Sequence, residues 1–109
     1  MLAQSTKETV QNYLAALQED GLPVSFGVVF GSYATGTSTE WSDIDLLVVS
    51  PKFDESVSRE DVNHLWRVAA RLDPRIEPVP CGERQWEEDT TRAIVEIARR
   101  EGHRVPTAA

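Results

Sequence analysis

Two short motifs in this chain of 109 residues have the residue types and spacing for chemistry on phosphates. Gly31-Ser32 ends one apolar run, and Asp43-Ile44-Asp45 opens the next after an interval of ten residues. Because successive side chains of a strand point to opposite faces, Asp43 and Asp45 share a face and Ile44 points away from them. Neighbouring carboxylates repel each other, and Mg²⁺ commonly binds one or two carboxylates together with substrate phosphates. The doublet therefore predicts one half of a site for a metal and a nucleotide.

The turn at Gly31-Ser32 predicts the other half of that site. A glycine between a strand and a helical turn lets the backbone approach a ligand without a clashing Cβ. The free N–H groups at the start of the helical turn attract phosphate, and the Ser32 hydroxyl adds a donor in the same place. The turn is therefore a candidate for binding the phosphates of a nucleotide.

A third carboxylate near the doublet would allow a second metal or a general base, as in two-metal phosphoryl transfer. Glu77, on a short third strand, is the best placed by sequence order, and Asp73 is the reserve. Taken alone, an Asp-x-Asp near a turn is usually a cap or a solvated loop, and Glu77 is more often a surface carboxylate paired with Arg75 or a helix charge. The combination favours a site, because it brings phosphate donors and metal ligands to the same end of two adjacent strands.

The elements that must position these residues follow from hydrophobic periodicity and from turn residues. The predicted order begins with a helix from a capping box at Ser5 to Gly21, a strand over 24–30 and a helical turn from Ser32. A strand over 43–50 and a helix from Ser58 to Leu72 follow. The last elements are an extended segment over 75–80 and a helix from Gly82 to Gly102. This pattern indicates an α/β (α+β) domain in which helices pack on a small mixed β-sheet. We expect a single domain over 1–102 and a C-terminal tail over 103–109, with a brief strand near Val105.

The two later helices each have a predicted apolar face. The expected buried positions are Val62, Leu65, Trp66, Ala69 and Leu72 in the first and Trp86, Ala93, Ile94 and Ile97 in the second. Trp41, two residues before Asp43, is expected to anchor its loop, with stacking on a base as the alternative.

Composition and charge exclude several classes of protein. The formal net charge of −7, without a basic cluster, argues against a general nucleic-acid binder. The single cysteine, Cys81, excludes an internal disulfide and a cysteine-rich zinc site, and neither His64 nor His103 has metal-ligand spacing. We expect both histidines to be surface or packing residues. No apolar run approaches the length of a signal or membrane segment, so a cytoplasmic location is expected.

The segment GSYATGTSTEWSDIDLLV resembles the signature of the nucleotidyltransferase superfamily related to DNA polymerase β, which is Gly-Ser, ten residues and Asp-x-Asp. The match includes Ala34 and Gly36 of the small-residue helix and Ser42 before the first acid. The order of elements up to residue 102 agrees as well. With its short length the chain is most similar to the minimal nucleotidyltransferases, the MNT group.

The resemblance implies roles for individual residues. Gly31 and Ser32, with Ser42, would bind the nucleotide, and Asp43 and Asp45 would coordinate Mg²⁺. The third family carboxylate falls on Glu77, which would join the metal site and help to deprotonate the attacking hydroxyl. The implied reaction is transfer of a nucleoside monophosphate, AMP from ATP, with release of pyrophosphate.

The resemblance also implies a partner. MNT proteins commonly act beside a HEPN-domain toxin, as antitoxins that transfer AMP to a tyrosine of the HEPN ribonuclease. The alternatives are a catalytically weak nucleotide-binding module that neutralises a partner by contact and, less favoured, a standalone nucleotidyltransferase for a small molecule. Exposed apolar positions on the last helix fit a homodimer or a partner interface.

Overall fold

The computed structural model describes residues 2–89 and 91–107 of the chain. The elements are α1 (Gln4–Glu19), β1 (Phe26–Phe30), α2 (Ser32–Thr35), β2 (Ile44–Val49), a 3₁₀ turn (Pro51–Phe53), α3 (Arg59–Leu72), β3 (Ile76–Cys81), α4 (Glu83–Glu88), α5 (Ala93–Glu101) and β4 (His103–Pro106). No helix in these described ranges is long and apolar enough to cross a membrane.

The four strands form one mixed sheet in the order β3-β2-β1-β4. Strand β1 is antiparallel to both β2 and β4, whereas β2 and β3 are parallel. The predicted small mixed sheet with packed helices is confirmed. Strand β2 is central and buried on both faces, and among its residues only Asp45 is half-buried.

Helices cover the two faces of the sheet unequally. Alternate strand residues such as Val29, Leu46 and Ile76 pack with α1 and α3. The intervening residues, such as Val28 and Leu47, pack with α5, and the Trp86 ring of α4 lies edge-on to Phe26. Asp45 and Glu77 belong to this second face, so the smaller helical layer leaves room for the acids at its edge.

The starts of the first two long helices differ in their caps. The predicted start of a helix at Ser58 is confirmed, and it is a capping box: the Ser58 hydroxyl accepts a hydrogen bond from the Asp61 N–H at 3.1 Å, and the Asp61 carboxylate accepts one from the Ser58 N–H at 3.0 Å. The predicted box at Ser5 is wrong. Helix α1 begins at Gln4 after Ala3, so Ser5 lies inside the first turn and cannot cap it.

The predicted last helix is two helices. Asp89 accepts hydrogen bonds from the backbone N–H and the hydroxyl of Thr91, both at 2.7 Å, which turns the chain after α4. Arg99 of α5 then donates to the carbonyls of Trp86 at 2.8 Å and Asp89 at 2.7 Å. This side chain supplies partners for carbonyls that a continuous helix would have satisfied itself.

The buried faces of α3 and α5 are narrower than predicted. The buried residues are Leu65, Val68 and Ala69 in α3 and Val95 and Ala98 in α5. Trp66, Leu72 and Ile97, which were expected on those faces, are exposed by 45%, 47% and 38%. Each helix contacts the sheet through one narrow stripe, so apolar residues beside that stripe remain at the surface.

The brief strand predicted near Val105 is confirmed, and it places residues 103–106 of the expected tail in the sheet. These residues form β4, which pairs with the edge of β1, with Val29 opposite His103 and Gly27 opposite Val105. Val105 is buried in the core, as expected of a strand at this position. The free edge of β1 explains why the segment is ordered, because an unpaired strand edge presents N–H and C=O groups to any extended segment nearby. Residues 108 and 109 lie outside the described residues.

Candidate active site

The turn after β1 has the conformation that its glycine allows. Gly31 has φ +73° and ψ −151°, a backbone region that side chains with a Cβ rarely occupy. Its carbonyl accepts hydrogen bonds from the backbone N–H groups of Ala34 at 3.0 Å and Thr35 at 3.2 Å. These bonds start α2 directly at the end of the strand. The positive end of this helical turn therefore lies at the sheet edge.

Gly31 is also in direct contact with the acid of the neighbouring strand. A Cβ at Gly31 would overlap the Oδ2 atom of Asp45 and lie 3.2 Å from its Cγ. Strand pairing explains the contact, because Phe30 is opposite Asp45 in the antiparallel register. The two motifs identified in the sequence are thus adjacent in space.

Strand β3 brings the third carboxylate to the same place. Glu77 is opposite Asp45 in the parallel register of β2 and β3, and Asp43 immediately precedes β2. Asp45 and Glu77 are half-buried, and Asp43 is exposed. Pro78, the next residue of β3, keeps its place opposite Leu46, so the proline does not shift the register of Glu77.

The pKa values of two of these carboxylates, Asp45 and Glu77, are raised. Burial raises the pKa of Glu77, and the charges of Asp43 and Asp45 together with hydrogen bonds to both of them raise it further. Burial also raises the pKa of Asp45, helped by the charge of Asp43 and opposed by a hydrogen bond from Glu77. Within residues 2–89 and 91–107, no basic side chain forms an ion pair with any of the three.

Arg75, the expected surface partner of Glu77, is bound elsewhere. Its guanidinium donates twice to Asp73, from Nε to Oδ1 at 3.0 Å and from Nη2 to Oδ2 at 2.7 Å. This hydrogen bonding holds the pKa of Asp73 below its usual range. Asp73, the reserve for the third acid, is thus occupied by an arginine, while Glu77 lies beside the doublet.

The donor set at this edge suits a hard divalent cation. Carboxylate oxygens are the ligands that Mg²⁺ prefers, and a cation between the three groups would relieve their repulsion. In the described part of the chain, no three His, Cys, Asp or Glu side chains are already arranged around one point as metal ligands. Mg²⁺ does not require such a cage, because water and substrate phosphates commonly complete its octahedron.

The two serines predicted to bind nucleotide differ in their surroundings. Ser32 starts α2 beside Gly31, and its hydroxyl makes no hydrogen bond to any residue that the structure describes. The Ser42 hydroxyl accepts the Thr39 N–H at 2.9 Å and holds the loop before Asp43. The geometry therefore leaves Ser32 open to a ligand and engages Ser42 in its own loop.

Trp41 does not anchor its loop as predicted. Its side chain is 86% exposed, beside the loop that leads to Asp43. The anchoring is instead local and polar, through Thr39 and Ser42, because hydroxyls can satisfy the backbone of a tight loop without a buried aromatic.

Two contacts near the site had not been predicted. Arg75 donates to the Tyr33 hydroxyl at 3.2 Å, and His103 of β4 donates to the Ala34 carbonyl at 3.1 Å. Of the contacts in this region, only the Asp73–Arg75 ion pair could have been predicted from sequence spacing, because its residues are two positions apart. The His103 contact joins residues 69 positions apart, which no local pattern indicates.

Cys81 and His64 take no part in the site. Cys81 is fully buried, and burial raises the pKa of its thiol to about 11, which keeps it protonated and unreactive. His64 pairs with Asp20 at 2.9 Å, away from the carboxylates. The position of His64 is consistent with the surface or packing role expected of it.

Comparison with known proteins identifies the family. A model of the nucleotidyltransferase domain family matches residues 10–100, which is most of the chain. The chain belongs to this family. The predicted enzyme class is thereby confirmed as nucleotidyltransferase. A comparison with curated proteins gives no significant match.

Solved structures agree with this nucleotidyltransferase fold. A toxin–antitoxin crystal structure with AMP-PNP superposes with TM-score 0.62 at 22% identity, over 89% of this chain and 73% of that one. A candidate nucleotidyltransferase from Sulfolobus solfataricus gives TM-score 0.62 at 15% identity, over 90% and 77%. The structure of a tri-AMPylated Shewanella oneidensis HEPN toxin with MNT antitoxin gives TM-score 0.56 at 17% identity, over 93% and 72%. At these identities the likeness shows the fold alone, which is consistent with an MNT-type protein.

Proposed function

We propose that this nucleotidyltransferase uses Mg²⁺ to transfer AMP from ATP to a hydroxyl of a partner protein, a tyrosine of a HEPN-type ribonuclease, and thereby acts as an antitoxin. The observation that carries the proposal is that three carboxylates, none in an ion pair with a basic side chain of the described residues, meet the Gly31-Ser32 turn at one edge of the sheet. Phosphate donors and metal ligands at one place are what nucleotidyl transfer requires.

Each residue has a role in this proposal. The turn at Gly31-Ser32 receives the triphosphate, and Asp43 and Asp45 would hold Mg²⁺, which would supply positive charge to neutralise the phosphates. Glu77 accepts the proton of the attacking hydroxyl, for which a raised pKa makes it a better base near neutral pH. The acceptor oxygen forms a bond to the α-phosphorus, the bond to the bridging oxygen breaks, and pyrophosphate leaves with those electrons.

Three features support a macromolecular acceptor. Asp43 is exposed beside a loop whose tryptophan is 86% exposed, so a large partner can reach the carboxylates. Exposed tryptophans are enriched where proteins bind each other. The net charge of −7 suits a basic ribonuclease partner through electrostatic complementarity. Two of the similar structures are toxin–antitoxin complexes, one with AMP-PNP and one with an AMPylated HEPN toxin.

The test is transfer of label from α-³²P-ATP, with Mg²⁺, to the protein encoded beside this one. We expect the label to appear on a tyrosine of that protein and to fall at least about 100-fold in Asp43→Asn and Asp45→Asn, as for loss of groups that stabilise transition-state charge. Asp61→Asn is the control and should transfer normally, because Asp61 lies in the first turn of α3 and contacts Lys52 just beyond the other end of β2.

Two outcomes would contradict the proposal. Tight partner binding without label, unchanged in both aspartate variants, would mean neutralisation by contact alone. Label on a small hydroxyl compound rather than on protein would mean a standalone enzyme. The location in the cytoplasm and the oligomeric state stay predictions.

A further inference from the structure

The helix that carries the Gly31-Ser32 turn depends on contacts from outside itself. Helix α2 is a single turn of four residues, far shorter than helices that are stable alone. Of these residues only Ala34 is buried, and the chain is exposed from Thr35 to Trp41. Half-buried Tyr33 packs against the core and accepts a hydrogen bond from Arg75, and the contacts at Ala34 are a second point that orients α2.

His103 supplies a polar contact at this point. Its Nε2 lies 3.1 Å from the Ala34 carbonyl oxygen, and because a carbonyl only accepts, Nε2 carries the proton and donates. Carbonyls in the last turn of a helix have no partner within the helix, so α2 cannot provide this bond itself.

The strand that carries His103 is held closely against the sheet. His103 is opposite Val29 in the register of β4 and β1. At Gly102, immediately before it, a Cβ would lie 2.5 Å from Cγ1 of Val28 and overlap the carbonyl oxygen of Ala98. The imidazole thus extends from a closely packed segment to a one-turn helix in which only Ala34 is buried.

We propose that His103 is a positioning residue for nucleotide binding, which holds α2 so that the Gly31-Ser32 turn receives the triphosphate. This inference rests on the proposed function, because it concerns the same turn. It adds a residue that the family match, which ends at residue 100, does not cover.

The test is calorimetric titration of the full chain with AMP-PNP and Mg²⁺. Loss of one hydrogen bond predicts that His103→Ala raises the dissociation constant about three- to tenfold. His103→Gln carries an N–H donor the same number of bonds from Cα, and it should restore binding to within about twofold. His103→Met keeps the length without the donor and takes the place of alanine if that variant does not fold.

A second histidine provides a matched control. His64 makes a side-chain hydrogen bond of 2.9 Å to Asp20, away from α2. His64→Ala should leave the dissociation constant unchanged even where it lowers the melting temperature as much as His103→Ala does. If His103 only stabilised the fold, both alanine variants would weaken binding in proportion to how far each lowers the melting temperature.

The outcomes separate this inference from the proposed function. If Asp45→Asn weakens binding at least about tenfold but His103→Ala and His103→Met do not change it, the positioning role is wrong and the proposed function stands. Equal weakening in His103→Gln and His103→Met would also overturn it, because the donor would then be irrelevant. If the unmodified chain binds no AMP-PNP with Mg²⁺, the proposed function fails and the role of His103 fails with it.

Discussion

The acids near the two ends of β2 are in opposite electrostatic situations: one group lies at the start of the strand, and the other lies beside the 3₁₀ turn that follows it. At the start of the strand, Asp43, Asp45 and Glu77 lie together, and burial with mutual repulsion raises the pKa of the last two. No basic side chain in the described part of the chain pairs with them. The repulsion between these carboxylates therefore remains in the folded state.

At the other end of β2 the acids have partners. The Asp61 carboxylate accepts a hydrogen bond from the Lys52 ammonium at 2.8 Å, and the Asp54 carboxylate accepts one from the Arg84 backbone N–H at 3.0 Å. The Lys52 hydrogen bond, followed by that from the Ser58 backbone, lowers the pKa of Asp61. The same residue type therefore stabilises the fold at one end and opposes it at the other. The end where the carboxylates still repel each other lies beside the Gly31-Ser32 turn. Such repulsion is expected at a site that binds a cation.

The largest expected effect tests the third acid. Glu77→Gln removes the proposed base and one of the repelling charges, so transfer should fall about 10²- to 10⁴-fold. AMP-PNP binding should change little, and the melting temperature should stay the same or rise. Transfer rates, calorimetry and thermal unfolding measure these three quantities.

Asp54→Asn is the matched control at the other end of β2. It keeps an oxygen for the Arg84 N–H and should transfer normally. Activity of Glu77→Gln within twofold of the unmodified chain would show that the third acid is not the base, and the contrast between the two ends would lose its catalytic meaning.

The contact between the turn and the doublet gives an intermediate effect. Gly31→Ala places a Cβ against Asp45 and in a backbone conformation, φ +73° and ψ −151°, that only glycine adopts readily, and it should lower the free energy of unfolding by about 2–3 kcal/mol. Gly36→Ala has a similar φ, +78°, but no atom within 4 Å of the added Cβ, and it should cost about 1 kcal/mol. Urea unfolding measures both, and equal losses would mean that the Asp45 contact is unimportant for stability.

The paired end gives the smallest effect, visible in acid. The pKa of Asp61 is lower in the folded chain than in the unfolded chain, so its contribution is present above the unfolded value and is lost as pH falls through the folded one. Asp61→Ala should lower the free energy of unfolding at pH 7 by about 1 kcal/mol, as for loss of a helix cap. The difference from the unmodified chain should shrink below about pH 4. A difference independent of pH would show that the ion pair does not contribute.

Sequence patterns predicted the parts of the fold that depend on neighbouring residues. The Ser58 cap, the apolar strands and the turn after Phe30 were correct because caps, strand alternation and glycine turns are local. The break between α4 and α5 was missed, since Arg99 stabilises it from ten residues beyond Asp89. The exposure of Trp66 and Leu72 was missed because an apolar residue does not reveal which neighbour covers it.

For the site, the sequence by itself determined the Asp43–Asp45 doublet on one face and a glycine turn that tolerates close approach. Tertiary structure alone decided the rest. The register of β2 against β3 puts Glu77 beside Asp45, and Arg75 is bound to Asp73 instead. The order of β4 beside β1 brings His103 to Ala34. The physical reason is that side-chain alternation is a property of each strand, whereas the pairing of residues more than thirty positions apart is set by packing of the whole sheet.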